Sequence, residues 1–64
     1  MEDNILKILE NHEDLKTIFV NTSVGEIGIY KSNGILKAFY MNMPMNFGKI
    51  SNDIKKEILK KLQK

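Results

Sequence analysis

The only histidine of the chain, His12, is followed directly by two acids, Glu13 and Asp14. Such a cluster could hold a metal ion or exchange protons, but either role requires a second, separately positioned group. No nucleophile or distant pair of carboxylates can be identified for that purpose, and the absence of cysteine excludes thiolate zinc sites. We interpret His12 as an ordinary residue at a helix C-terminus, where the free carbonyl groups favour it. We therefore expect no enzymatic activity, no catalytic residue, no metal site and no cofactor.

Three methionines, Met41, Met43 and Met45, alternate along the chain and would share one side of an extended segment. Their thioethers are soft ligands of the kind that binds Cu(I). Methionine is more often an adaptable apolar filler, and it is frequent on surfaces that bind partners of varied shape. We interpret these residues first as filler, second as part of a protein-binding surface, and third as metal ligands.

All ten basic residues are lysines, and the net charge is only +2. The segment 49–64 is rich in lysine, whereas residues 1–14 carry five acids against Lys7. This asymmetry could mark a binding face, but acids at one helix N-terminus and lysines at another C-terminus also match the helix dipole. As an alternative function we consider a nucleic-acid-binding regulator, in which lysines contact phosphates. Its site would comprise Lys49, Lys56, Lys60 and Lys64.

Two amphipathic helices and three strands are predicted to position these side chains. The first helix would be capped by Asp3 or Asn4 and would end near residues 11–12, with an apolar stripe of Ile5, Leu6, Ile8 and Leu9. The strands are predicted at residues 15–21, 25–31 and 35–41 from their β-branched and aromatic content. The last helix would begin at a cap among residues 51–53, and its apolar side carries Ile54, Ile58, Leu59 and Leu62.

The dipeptide Asn33-Gly34 predicts a tight hairpin, because a type I′ turn needs positive φ at both central residues. A two-residue loop fixes the register, which pairs Ser32 with Ile35 and Gly28 with Phe39. One face is then expected to form the core, with Ile27, Ile29, Leu36, Ala38 and Tyr40. The opposite face would carry Glu26, Gly28, Tyr30, Lys37, Phe39 and Met41. Residues 42–48 are expected to interrupt the sheet, since Pro44 cannot donate to a strand ladder.

These elements predict an α+β fold of the order α-β-β-β-α, formed by a single domain over residues 1–64. Its sheet would be a three-stranded antiparallel meander with two helices packed on it. The separation of the outer strands, roughly 10 Å, is close to that of two neighbouring helices, about 8–10 Å. Both helices can therefore cover one face, although packing of one helix on each face is about equally consistent with the pattern.

The order α-β-β-β-α resembles that of the double-stranded RNA-binding domain. Gly48-Lys49 and Lys55-Lys56 are similar to the lysine cluster at the start of the second helix of that family. The chain departs from the family because it lacks both an alanine-rich second helix and a basic loop between the first two strands. The resemblance is thus confined to the order of the elements, and we do not assign the chain to the family.

The outer face of the predicted sheet is the best candidate for a functional surface. We predict a small non-enzymatic binding protein that docks on a larger protein, as an inhibitor or adaptor, or that forms a homodimer. The partner-binding residues would be Tyr30, Phe39, Met41, Met43 and Met45. The abundance of lysine, isoleucine and asparagine, which have AT-rich codons, suggests a low-GC bacterium or its phage as the source. Neither a signal peptide nor a membrane span is recognisable, so we expect a cytoplasmic location.

Overall fold

The computed structural model describes residues 1–63 and has an α+β fold, as predicted. Its elements follow the order α-β-β-β-β-α, so the sheet has one strand more than expected. They are α1 (Glu2–Ile8), β1 (Ile18–Thr22), β2 (Gly25–Ser32), β3 (Ile35–Tyr40), β4 (Met43–Asn46), a 3₁₀ helix (Phe47–Lys49) and α2 (Asn52–Leu62). The strands form an antiparallel meander in the spatial order β1-β2-β3-β4.

The fourth strand corrects the prediction that residues 42–48 interrupt the sheet. Met41 and Asn42 both have positive φ, 53° and 63°, which allows a second tight turn and returns the chain along β3. Pro44 lies in this strand opposite Phe39. Because β4 is an edge strand, proline is tolerated wherever its nitrogen faces away from the ladder. The missing donor of Pro44 therefore does not prevent strand formation.

The hairpin at Asn33-Gly34 has the predicted register. Both residues have positive φ, 53° and 77°, and Ser32 pairs with Ile35 while Gly28 pairs with Phe39. The pairing of β1, which the sequence left open, places Phe19 opposite Gly28. Because side chains alternate along each strand, this register decides which residues point toward the helices.

Both helices pack on the same face of the sheet and close one hydrophobic core. Ile5 and Leu9 from the α1 segment meet Ile54 and Ile58 of α2 in this core. The sheet and the segment after it contribute Val20, Ile27, Ile29, Leu36, Ala38, Phe47 and Ile50. Phe47 is completely buried, so the 3₁₀ helix forms part of the core instead of a loose connection.

The helix ends differ in part from the sequence-based expectation. α1 ends at Ile8, earlier than predicted, and no side chain caps its N-terminus, so the expected cap at Asp3 or Asn4 is wrong. α2 begins as predicted, since the Ser51 hydroxyl accepts a hydrogen bond from the Ile54 amide. The turns that follow α1 lead the chain to β1.

Lys55 is a buried lysine that joins three parts of the structure. Its Nζ lies 3.5 Å from a carboxylate oxygen of Glu2, 3.4 Å from the carbonyl oxygen of Gly48 and 5.6 Å from the centre of the Phe47 ring. The ammonium group thus has an ion pair, a hydrogen bond and a cation–π contact. These contacts link the start of α1 to the 3₁₀ helix and α2.

Candidate interaction surface

The face of the sheet opposite the helices is the candidate site, and we call it the outer face. Within residues 1–63 no helix covers it. One row of paired residues crosses all four strands on this face and consists of Phe19, Gly28, Phe39 and Pro44. The neighbouring row contains Tyr30, Lys37 and Asn46. The outer face therefore has an apolar row through its centre and a more polar row beside it.

Aromatic rings cover much of the outer face. Tyr30 and Phe39 are stacked, with ring centroids 5.2 Å apart and planes inclined by 22°. Phe19 lies over Gly28, because a Cβ atom at residue 28 would stand only 3.1 Å from its ring. Tyr30 and Phe39 are partly buried by their neighbours, whereas Phe19 is 64% exposed. Gly28 thus provides the space that allows the ring of Phe19, on the neighbouring strand β1, to approach this closely.

A shallow depression of about 380 Å³ opens beside these rings. Phe19, Gly28 and Phe39 form part of its lining, and Glu26 and Met41 also border it. The depression combines apolar walls with one carboxylate at its border, which is typical of a place that accepts an apolar side chain of a partner.

Met41 occupies an unusual position at this depression. It has a φ of 53° and is 75% exposed, so it combines a left-handed backbone with little burial. This conformation is unfavourable for residues with a Cβ atom, and asparagine or glycine usually occupies it. Strained residues of this kind concentrate at functional sites, which makes Met41 a candidate contact residue.

The structure separates the three methionines that were predicted to share one side. Met41 belongs to the turn, whereas Met43 and Met45 lie in β4 opposite Tyr40 and Ala38. By strand alternation, Met43 and Met45 therefore belong to the helix-covered face. Met45 packs partly against the core, and Met43 is 68% exposed at the sheet edge. The expectation that the three share one side is therefore wrong, because the positive-φ turn at Met41 and Asn42 reverses the alternation before β4 begins. The predicted role of Met43 and Met45 in partner binding stays a prediction.

Phe19 is a candidate contact residue that sequence reasoning did not include. The sequence showed that Phe19 points away from Ile18 and Val20, but the register of β1 was not predicted. The signal lay in Gly28, since a glycine inside a strand often marks the close approach of another group. Here that group is the Phe19 ring, together with Thr17, whose methyl carbon lies 2.9 Å from the ideal Cβ position.

Two charged residues of the outer face differ in sign. Glu26 and Lys37 are both exposed, and they lie on opposite sides of the apolar row that contains Phe39. Neither residue forms a salt bridge within residues 1–63. Both charges are therefore available to orient a partner whose own charges are complementary.

Other carboxylates of the chain are engaged in holding the loops. The Glu57 carboxylate accepts hydrogen bonds from the Ser23 hydroxyl at 2.6 Å and from the Ser23 amide at 2.8 Å, which lowers the pKa of Glu57. The Asp14 carboxylate accepts a bond from the Asn33 amide and pairs with Lys31 at 3.3 Å, and these contacts lower the pKa of Asp14. Glu57 thus connects α2 to the β1–β2 turn. Asp14 connects the loop between α1 and β1 to the β2–β3 hairpin.

His12 lies in the loop after α1, beyond the helix end at which it was predicted. Its Nε2 is 2.9 Å from the carbonyl oxygen of Lys16, so that nitrogen acts as a donor within the loop. Across residues 1–63 no group of three or more histidine and carboxylate side chains could hold a metal ion. Nor does any helix in that range have the length and apolar character to cross a membrane.

The lysines of the alternative site are only partly described. Lys49, Lys56 and Lys60 are exposed, whereas Lys64 lies outside the described residues. Lys55, which contributed to the resemblance to the double-stranded RNA-binding domain, is 7% exposed and cannot form a surface pair with Lys56. The fourth strand is a further departure from the element order of that domain.

Comparison with known proteins yields no relative. No family model matches the chain, and no curated protein or solved structure is significantly similar to it. The arguments about function therefore depend on the outer face and its surroundings alone.

Proposed function

We propose that this protein is a non-enzymatic binding module that docks on a larger protein through its outer face and acts as an inhibitor or adaptor. The observation that carries the proposal is the uncovered aromatic row in which Phe19 remains 64% exposed. In a chain of only 64 residues, apolar side chains are needed for the core. Placing a phenylalanine on the solvent side of the sheet gives up that contribution, which supports a binding role.

The chemistry of the outer face suits protein recognition. Aromatic side chains supply much of the binding energy of protein interfaces, because they bury a large area with few rotatable bonds. Phe19, Phe39 and Tyr30 provide such groups on a rigid sheet, and the stack of Tyr30 on Phe39 orders two of them before a partner arrives. Preorganisation of this kind reduces the entropic cost of binding.

Met41 supports the same interpretation. Its side chain contributes little to the core, yet it occupies a backbone conformation that asparagine would adopt at lower cost. A flexible thioether beside the depression would adapt to the surface of a partner. We therefore include Met41 with Phe19, Tyr30 and Phe39 in the proposed contact surface.

Site-specific photocrosslinking in the source cells tests the proposal. A photoreactive phenylalanine analogue replaces Lys37, which is exposed on the outer face, and in a matched control it replaces Lys60, which is exposed on α2. We expect a discrete protein adduct from position 37, absent from position 60 and lost when Phe19→Ser is added. The substitution Ile8→Ser, which removes a partly exposed apolar side chain of α1, should leave the adduct unchanged.

Two other results would contradict the proposal. Adducts with nucleic acid from position 60 would favour the alternative regulator that uses Lys49, Lys56, Lys60 and Lys64. A position-37 adduct that persists with Phe19→Ser would show that the aromatic row does not bind the partner. Circular dichroism of each variant establishes that the fold is retained.

A further inference from the structure

The hairpin at Asn33-Gly34 determines where the backbone groups of every strand point. Residues that flank a type I′ turn form a hydrogen-bonded pair, and such pairs alternate with non-bonded pairs along an antiparallel ladder. Starting from Ser32 and Ile35, the alternation directs the backbone of Gly28 toward β3 and that of Ile27 toward β1. The alternation also directs the Lys31 carbonyl toward the β1 side of the strand. There it accepts a hydrogen bond from the Leu15 amide, which confirms the assignment.

The same alternation leaves a free edge on β1. Val20 pairs with Ile27 and therefore directs its amide and carbonyl toward β2. Phe19 and Asn21 must then direct theirs away from the sheet. Within residues 1–63 no other backbone group bonds to them, because β1 is an edge strand.

The two edges of the sheet differ in their protection. On β4, Pro44 pairs with Phe39 at a position whose nitrogen faces outward, so proline removes a donor from that edge. On β1 there is neither proline nor charge, and the whole segment from Thr17 to Gly25 is uncharged. Natural sheets usually block exposed edges with proline or lysine. Because the β4 edge is blocked and the opposite β1 edge is not, the pattern indicates that β1 pairs with another strand when the protein functions.

We propose that the β1 edge pairs antiparallel with β1 of a second copy of this chain. A twofold axis at Val20 would place Phe19 of each copy opposite Asn21 of the other, which forms about four backbone hydrogen bonds. Neutrality of the strand favours self-pairing, because no like charges meet across the axis. The flank of α2 that reaches the β1–β2 turn carries both signs, Glu57 and Lys61, so it also does not impose a like-charge barrier.

This pairing goes beyond the proposed function and uses different groups. It would join two four-stranded sheets into one continuous sheet and bring the two outer faces side by side. The Phe19 rings would then belong to one doubled surface that offers two equivalent docking positions to a partner. Since backbone groups make the pairing, its failure would leave docking through the outer face untouched.

Sedimentation equilibrium over a range from about 10 µM to about 1 mM tests the pairing, because interfaces this small bind weakly. We expect the average mass to rise toward twice the monomer value at the upper end. Asn21→Pro copies the protection already present at Pro44 and should keep the chain monomeric, as should Asn21→Lys, which charges the edge. Lys37→Gln on the inner strand β3 is the control and should associate like the parent chain.

Amide hydrogen exchange of the parent chain provides a test that needs no variant. The amides of Phe19 and Asn21 should become several-fold more protected as concentration rises, while that of Asn46 on the other edge should not change. A chain that stays monomeric at every concentration would overturn the proposal. So would a dimer that persists with Asn21→Lys but is lost with Phe39→Ser, since that result would place the contact on the outer face.

Discussion

Replacement of Met41 by asparagine should make the protein more stable, although it removes an apolar side chain. Met41 has a φ of 53° in the turn between β3 and β4. A left-handed conformation costs a residue with a Cβ atom roughly 1–2 kcal/mol, and asparagine is one of the few residues that adopt it readily. Because Met41 is 75% exposed, its loss should cost little burial. We therefore expect Met41→Asn to raise the free energy of unfolding by about 1 kcal/mol.

Thermal and urea unfolding followed by circular dichroism measure this effect. For a chain of this size, about 1 kcal/mol corresponds to an increase in Tm of about 4–8 °C. The urea midpoint should rise while the m value stays constant, because the exposed area on unfolding is unchanged.

Met43→Asn is the matched control. Met43 is 68% exposed, similar to Met41, but it lies in β4 and its φ is not positive. Asparagine is unfavourable in strands, so this change should leave stability unchanged or lower it by a few tenths of a kcal/mol. If Met41→Asn lowers Tm, or matches Met43→Asn, backbone strain is not what distinguishes Met41. If the proposed function is correct, Met41→Asn should also weaken the crosslink from position 37.

Three further predictions concern the pH dependence of stability, the buried Lys55, and the β4 edge that contains Pro44. The folded pKa of Glu57 lies below its ordinary value of 4.5, so its bonds to Ser23 stabilise the fold above that pH and are lost as the pH falls through the lowered pKa. Glu57→Gln should thus lower Tm at neutral pH but match the parent chain near about pH 2, whereas Glu10→Gln should have little effect at either pH. Lys55→Ala should lower the free energy of unfolding by about 1–3 kcal/mol in urea titrations, and Lys55→Met should recover most of the loss if the buried stem matters more than the charge. Pro44→Thr restores an outward donor and should increase association in light scattering above that of the parent chain, with little change in Tm; association equal to that of the parent would show that proline does not protect this edge.

Local sequence signals predicted the elements whose formation depends on neighbouring residues. Asn33-Gly34 specified a turn with positive φ at two positions, and the two-residue loop then determined the pairing of Gly28 with Phe39. Side-chain alternation followed from that register, so the core face of β2 and β3 could be read directly. The Ser51 cap was also recognisable, because capping depends on residues within one helical turn.

The fourth strand was missed because a local rule was applied without its place in the sheet. Pro44 lacks a donor in any strand, but this matters only where the ladder needs that donor. The turn signal before this strand was incomplete, because Asn42 favours positive φ but Met41, at the first turn position, does not. Pairing of β4 with β3 compensates for the unfavourable backbone conformation of Met41.

For β2 and β3 the sequence by itself determined which residues share a face, but the tertiary structure decided what each face meets. Alternation along a strand is a property of the local backbone, with a period of two residues. The covering of one face by both helices is a result of long-range packing among residues such as Ile5 and Ile58, which are far apart in the chain. That packing, together with the pairing of β1, leaves Phe19 in solvent and turns a pattern of alternating residues into a candidate binding surface.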